Sequence, residues 1–189
     1  MNIERFVSTL RRLHRRIFRR RENEHIRQRV EALRAASIFS DLRSSHLGVI
    51  AEVMHERTFV KDEVIYYEGD PGLGLYIIRQ GSVRLTRRDE KDEDVEITEL
   101  GESDVFGVLS AFEDLRRFES ARSMADTILY GLFRPDLASI TNRNPAAAAS
   151  AYRVLGRHVG RLHSSMLDRV QERYGRMSSL EILSHAVES

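Results

Sequence analysis

The sequence predicts an α+β fold in which short strands, closed into a sandwich, barrel or jelly roll, lie between helical segments. Three observations carry that expectation. Apolar residues recur every three or four positions in the first part of the chain. From about Arg57 the period changes to short β-rich runs broken by glycine turns. After Asn144-Pro145 a second, longer three-and-four stripe begins.

The opening segment reads as a helix. Ile3, Phe6, Val7, Leu10, Leu13 and Ile17 form one apolar stripe, and the arginines between them take the opposite face. Glu22-Asn23-Glu24 interrupts the pattern, and a second helical stretch sets Ile26, Val30 and Leu33 on one face, ending near Ser37. Ser44 is placed to cap a third helix that carries Leu47, Ile50 and Met54 inward.

The strand region contains Val64-Ile65-Tyr66-Tyr67, Leu75-Tyr76-Ile77-Ile78, Val83-Arg84-Leu85-Thr86 and Val95-Glu96-Ile97, then runs near Ser120–Met124 and Ile128–Phe133. Turn chemistry separates them at Gly69-Asp70-Pro71-Gly72, Gly81-Ser82 and Gly101-Glu102. Evenly spaced short strands of this kind suit a closed antiparallel architecture. Asn144-Pro145 then opens a long helix that Gly175 ends, with a short helical tail around Leu180-Glu181-Ile182-Leu183. Tyr152, Leu155, Val159, Leu162, Met166, Val170 and Tyr174 step along that helix as a coiled-coil seam would. The same stripe also suits packing on the chain's own strands. The seam residues Leu155, Val159, Leu162, Met166 and Val170 predict a homodimer. The expected organisation is basic amphipathic helices over 1–36, strands over 37–143, and a dimerisation helix with its tail over 144–189.

A chain of 189 residues is long enough to bury a real core. It has no cysteine, which removes disulfides and thiolate chemistry. No run approaches the roughly 20 apolar residues that span a bilayer, and no secretory signal is evident. A cytoplasmic location follows, with a peripheral position at a membrane left open. The net charge of +1 hides an asymmetry. Arginines crowd the first two dozen residues, while Asp89-Glu90-Lys91-Asp92-Glu93-Asp94 is acidic. The basic end is therefore expected to meet an anionic partner. Arg12, Arg15, Arg16 and Arg19 form that surface, toward a protein partner, a membrane surface or nucleic acid; the same helix also suits packing on its own roll or a dimer mate with those arginines solvated. The acidic run lacks the spaced ligands and central glycine of a calcium loop and reads as a hairpin tip. No metal, cofactor or catalytic constellation is expected, because the seven histidines are scattered.

Glu68-Gly69-Asp70-Pro71, then Leu75-Tyr76-Ile77-Ile78, then Gly81-Ser82-Val83, resemble the cyclic nucleotide-binding domain family. That family includes catabolite activator-type transcription factors, regulatory subunits of cyclic-AMP-dependent kinase, and nucleotide-gated channels. Ile38-Phe39-Ser40-Asp41-Leu42 and Leu47 are similar to its first helix. Leu100-Gly101-Glu102-Ser103-Asp104-Val105-Phe106-Gly107 is similar to the run into its phosphate-binding cassette. The resemblance spans roughly Ser37 to Leu162 and implies a jelly-roll β-roll flanked by helices.

The resemblance also implies a ligand site. In the family a short helix follows Phe-Gly with its N–H groups toward the cyclic phosphate. A glutamate directly after the glycine holds the ribose 2′-hydroxyl, and an arginine about nine residues on pairs with the phosphate, followed by small residues. Gly107, Val108, Leu109, Ser110, Arg116, Arg117 and Ser120 are the positions that carry over. Arg117 matches, with Arg116 beside it. Val108 departs from the glutamate and cannot accept a hydrogen bond from a sugar. Phe118-Glu119 replaces the small pair, where a ring pointing inward would crowd a ligand and a carboxylate would oppose a phosphate.

The family's transcription factors carry a helix-turn-helix after the long helix. The residues after Gly175 are too few for one, so no DNA partner is expected. The reading is a non-catalytic regulatory module that does not bind ordinary cyclic AMP or cyclic GMP and acts through protein contacts. The alternatives are a true cyclic nucleotide or cyclic dinucleotide receptor, and a ligand-free structural subunit of a larger or membrane-associated assembly.

Overall fold

Eight strands pair antiparallel into two four-stranded sheets in a computed structural model that describes residues 22–177 and 180. The strands are β1 (His55–Phe59), β2 (Val64–Tyr66), β3 (Gly74–Gln80), β4 (Val83–Arg88), β5 (Asp94–Leu100), β6 (Val105–Phe106), β7 (Ser120–Ser123) and β8 (Thr127–Phe133). One sheet runs β1-β8-β3-β6 and the other β2-β7-β4-β5, so sequence neighbours cross between sheets. This is a jelly-roll β-roll with helices on either side in sequence, an α+β fold.

Alternation builds the core between the sheets. Ile78 of β3, Val83 and Leu85 of β4, Phe106 of β6, Ala121 of β7 and Leu129 of β8 are buried together with Tyr66. Side chains of successive strand residues point to opposite faces, so a strand contributes every second residue to such a layer. The acidic run at 89–94 forms the exposed β4–β5 hairpin tip. There Asp89 accepts the N–H groups of Lys91 and Glu93 at 2.8 and 3.0 Å.

The helices are α1 (residues 22–35 of those described), α2 (Ser44–Val53), α3 (Arg134–Arg143) and α4 (Pro145–Tyr174). Leu33, Phe39, Leu47, Ile50, Leu137 and Ile140 are fully buried. Ser44 is one position off its expected role. Arg43 is the cap residue and makes no side-chain cap, while Ser44 Oγ accepts from Arg34 at 2.8 Å. Asn144 does cap α4, its side-chain oxygen accepting the Ala147 N–H at 3.0 Å. Gly175 ends that helix at φ 87°. Sequence periodicity missed α3, a ten-residue helix whose Pro135 sits in its first turn.

The chain divides into two compact units between Ala151 and Tyr152. The first contains both sheets. In the second, Leu155 is buried, Val159 and Val170 are half-buried, and Leu162 and Met166 are exposed. The N-terminal stripe with Arg12, Arg15, Arg16 and Arg19, and the tail beyond Leu180, lie outside the described residues.

Candidate functional site

Two loops laced together make the site. The turn Glu68-Gly69-Asp70-Pro71 lies against the segment that leads into β7. Gly69 N–H donates to Arg117 O at 2.9 Å, Arg117 N–H to Asp70 O at 2.8 Å, and Gly72 N–H to Leu115 O at 2.9 Å. Glu68 N–H donates to Ser120 Oγ at 2.9 Å. Arg116 Nη1 donates to Gly69 O at 2.7 Å. Ser120 and Arg116 are thus engaged in holding the turn, leaving Arg117 as the cation inside.

Arg117 is 5% exposed. Its guanidinium carbon stands 4.1 Å from the centroid of the Tyr66 ring and 5.8 Å from that of Tyr76. A desolvated cation over an aromatic face gains about 2 kcal/mol. Nη1 reaches Gly107 O and Ser110 Oγ only at 3.4 Å, longer than a normal N–H···O bond. Nε is buried with no partner. Among the described residues no carboxylate pairs with it. A buried charge is usually paired, and an unpaired one costs stability. The arrangement therefore offers a desolvated, under-satisfied guanidinium to an incoming anion.

The residues around it follow a period of two. Arg117 and Ala121 are buried, Glu119 is half-buried, and Phe118 between them is 54% exposed. The ring that would have crowded a ligand points out. Glu119 turns inward and accepts the Tyr66 hydroxyl at 2.8 Å. Burial first, and the Glu119 carboxylate second, push the Tyr66 phenol well above its ordinary range. Burial raises Tyr76 as well. Tyr66, Tyr76 and Phe106 form one stack, with centroids 5.4 to 6.4 Å apart.

After Phe106-Gly107 the expected short helix is a single 3-10 turn, Val108–Ala111. Val108 is buried and Leu109 is 40% exposed. The structure thus brings Gly107, Ser110 and Arg117 together and leaves Leu109 outside.

Sequence reasoning missed Arg134, the first residue of α3. Its Nη1 donates to the carbonyls of Gly72, Ser110 and Glu113 at 2.6, 3.0 and 2.6 Å. Its Nη2 meets Asp114 at 2.9 Å. One guanidinium thereby fastens the cassette loop at both ends.

Residues 56–144 match the cyclic nucleotide-binding domain family. The roll belongs to that family. The cyclic AMP-activated CRP-like global transcriptional regulator of Mycobacterium tuberculosis is 29% identical over 140 residues, 74% of this chain and 62% of that protein. The cyclic AMP receptor protein of Thermus thermophilus is 28% identical over 127 residues, 67% of this chain and 59% of that protein. The chain spans about three fifths of the length of these curated relatives. The N-terminal domain of a transcriptional regulator from Streptomyces coelicolor superimposes with a TM-score of 0.65 at 26% identity, covering 71% of this chain and 94% of that one. Among the described residues, no helix of the chain is long and apolar enough to cross a membrane.

Proposed function

We propose that this chain is a non-catalytic regulatory module that receives a small phosphate-bearing ligand at Arg117 and holds ordinary cyclic AMP and cyclic GMP only weakly. The observation that carries this reading is Arg117, buried over Tyr66 with its Nε unpartnered and with no ion pair among the described residues. A guanidinium in that state gains a charge-assisted bond from a phosphate at little further desolvation cost. Val108, buried and apolar, stands where the family's ribose-binding acid belongs, and one lost charge-assisted bond weakens a nucleotide by about 1.5–3 kcal/mol.

Its output runs through protein contacts. Leu73, Leu109, Leu115 and Phe118 are exposed on or beside the cassette, and exposed apolar side chains mark interaction sites where they adjoin. The module acts as a homodimer through α4, on which Leu162 and Met166 stand exposed.

Calorimetric titration with cyclic AMP, cyclic GMP and cyclic dinucleotides tests the reading. The expected Kd for the two mononucleotides is weaker than about 100 µM, roughly −5.5 kcal/mol. Val108→Glu combined with Glu119→Ala is expected to tighten cyclic AMP. Micromolar binding to the unmodified protein would overturn the proposal.

A further inference from the structure

Arg117 and Glu119 are two residues apart in the bend that enters β7, where Arg117 is buried, Glu119 is half-buried and Phe118 between them is exposed. A single tyrosine separates their charges. The guanidinium lies on the face of the Tyr66 ring, and the carboxylate accepts that ring's hydroxyl. They form no ion pair, because Arg117 has none among the described residues. Arg117 keeps a buried Nε without a hydrogen-bond partner, and among the described residues one oxygen of Glu119, Oε1, is engaged, accepting the Tyr66 hydroxyl.

A fixed cation and a fixed anion, held a ring's length apart, define a chemical class. A bare dianion gains at Arg117 and is repelled by Glu119. A bare cation meets the reverse. A molecule with a phosphate at one end and an ammonium at the other satisfies both, because each of its charged ends meets the opposite charge of the site. We infer that the site selects small zwitterionic phosphomonoesters, with the phosphate on Arg117 and the ammonium on the carboxylate of Glu119. The inference rests on the proposed reading of Arg117 as a phosphate receptor and assigns the neighbouring carboxylate a selective role. Under it, Glu119 is a specificity residue: it stands against cyclic mononucleotides, which carry one negative charge and no cation, and favours a ligand that brings its own.

The test is calorimetric titration of the full chain with phosphoethanolamine and with ethyl phosphate, which differ in the ammonium. Phosphoethanolamine is expected to bind at least about tenfold tighter, the scale of one charge-assisted bond. Glu119→Gln keeps an acceptor for the Tyr66 hydroxyl and removes the charge. It is expected to erase the difference by weakening phosphoethanolamine while leaving ethyl phosphate equal or tighter. Arg117→Gln is expected to abolish binding of both. Equal binding of the two compounds to the unmodified protein overturns the zwitterion assignment and leaves the phosphate reading intact. A preference that survives Glu119→Gln overturns the role of Glu119. If neither compound binds the unmodified protein, the phosphate reading falls and this inference falls with it.

Discussion

Gly107 and Arg117 claim the same space. A β-carbon on Gly107 would collide with Nη1 of Arg117, and Gly107 itself sits at φ 71°, ψ 21°, in the left-handed region. Both conditions require glycine: the backbone needs φ > 0, and the guanidinium needs the room. Gly107→Ala is therefore expected to cost about 1–2 kcal/mol from the backbone alone and to displace Arg117 from the Tyr66 ring. Urea unfolding measures the first effect. A variant as stable as the parent would show that the turn relaxes freely.

Arg134 holds the cassette loop by three carbonyls and one carboxylate. Replacing it with alanine strands those carbonyls, at a cost of about 1–3 kcal/mol. Amide exchange should accelerate over residues 108–116 while β3 and β8 remain protected. Asp114→Asn should change little, because that carboxylate is 80% exposed. Unchanged exchange in the loop of Arg134→Ala would remove the clamp from the account.

Tyr66 ties stability to alkaline pH. Burial, and then the Glu119 carboxylate, raise its phenol above the ordinary value, so the folded chain keeps a proton that the unfolded chain has lost. Stability from this group is complete below the unfolded value of about 10 and declines as pH rises past it. Tyr66→Phe is expected to flatten that decline, read from denaturant midpoints between about pH 9 and 11. An equally steep decline in the variant would assign the effect to other groups.

The proposed dimer makes two kinds of substitution in α4 behave differently. Leu162→Glu with Met166→Glu places charges on exposed positions and should dissociate the dimer without unfolding the chain. Leu155 is already buried within one chain, so Leu155→Glu should lower the melting temperature instead. Light scattering that finds the unmodified protein monomeric at micromolar concentration would refute the dimer.

The roll was legible in the sequence because its turns carry their own chemistry. Gly69 and Gly81 take positive φ where strands reverse, and the runs between them alternate as strands do. Arg117 was legible by its spacing from Gly107. Two features were not. Arg134 acts on backbone carbonyls, which every residue has, so nothing in the sequence marks its partners. The direction of Phe118 and Glu119 depends on the register of a bend entering β7, and side-chain type alone leaves that parity open. Helix α3 escaped because its apolar contribution rests on only two fully buried side chains, Leu137 and Ile140, too few to show a period.

The inward Arg117, outward Phe118 and inward Glu119 make this stretch sensitive to length in a way that it is not to composition. Exchanging one side chain alters one wall. Inserting or deleting a single residue ahead of Ser120 would flip the parity of everything upstream, carrying the phenyl ring into the interior and both charges into water. Related chains are therefore expected to differ here by replacement at fixed spacing, with gaps confined to the loop before Arg116.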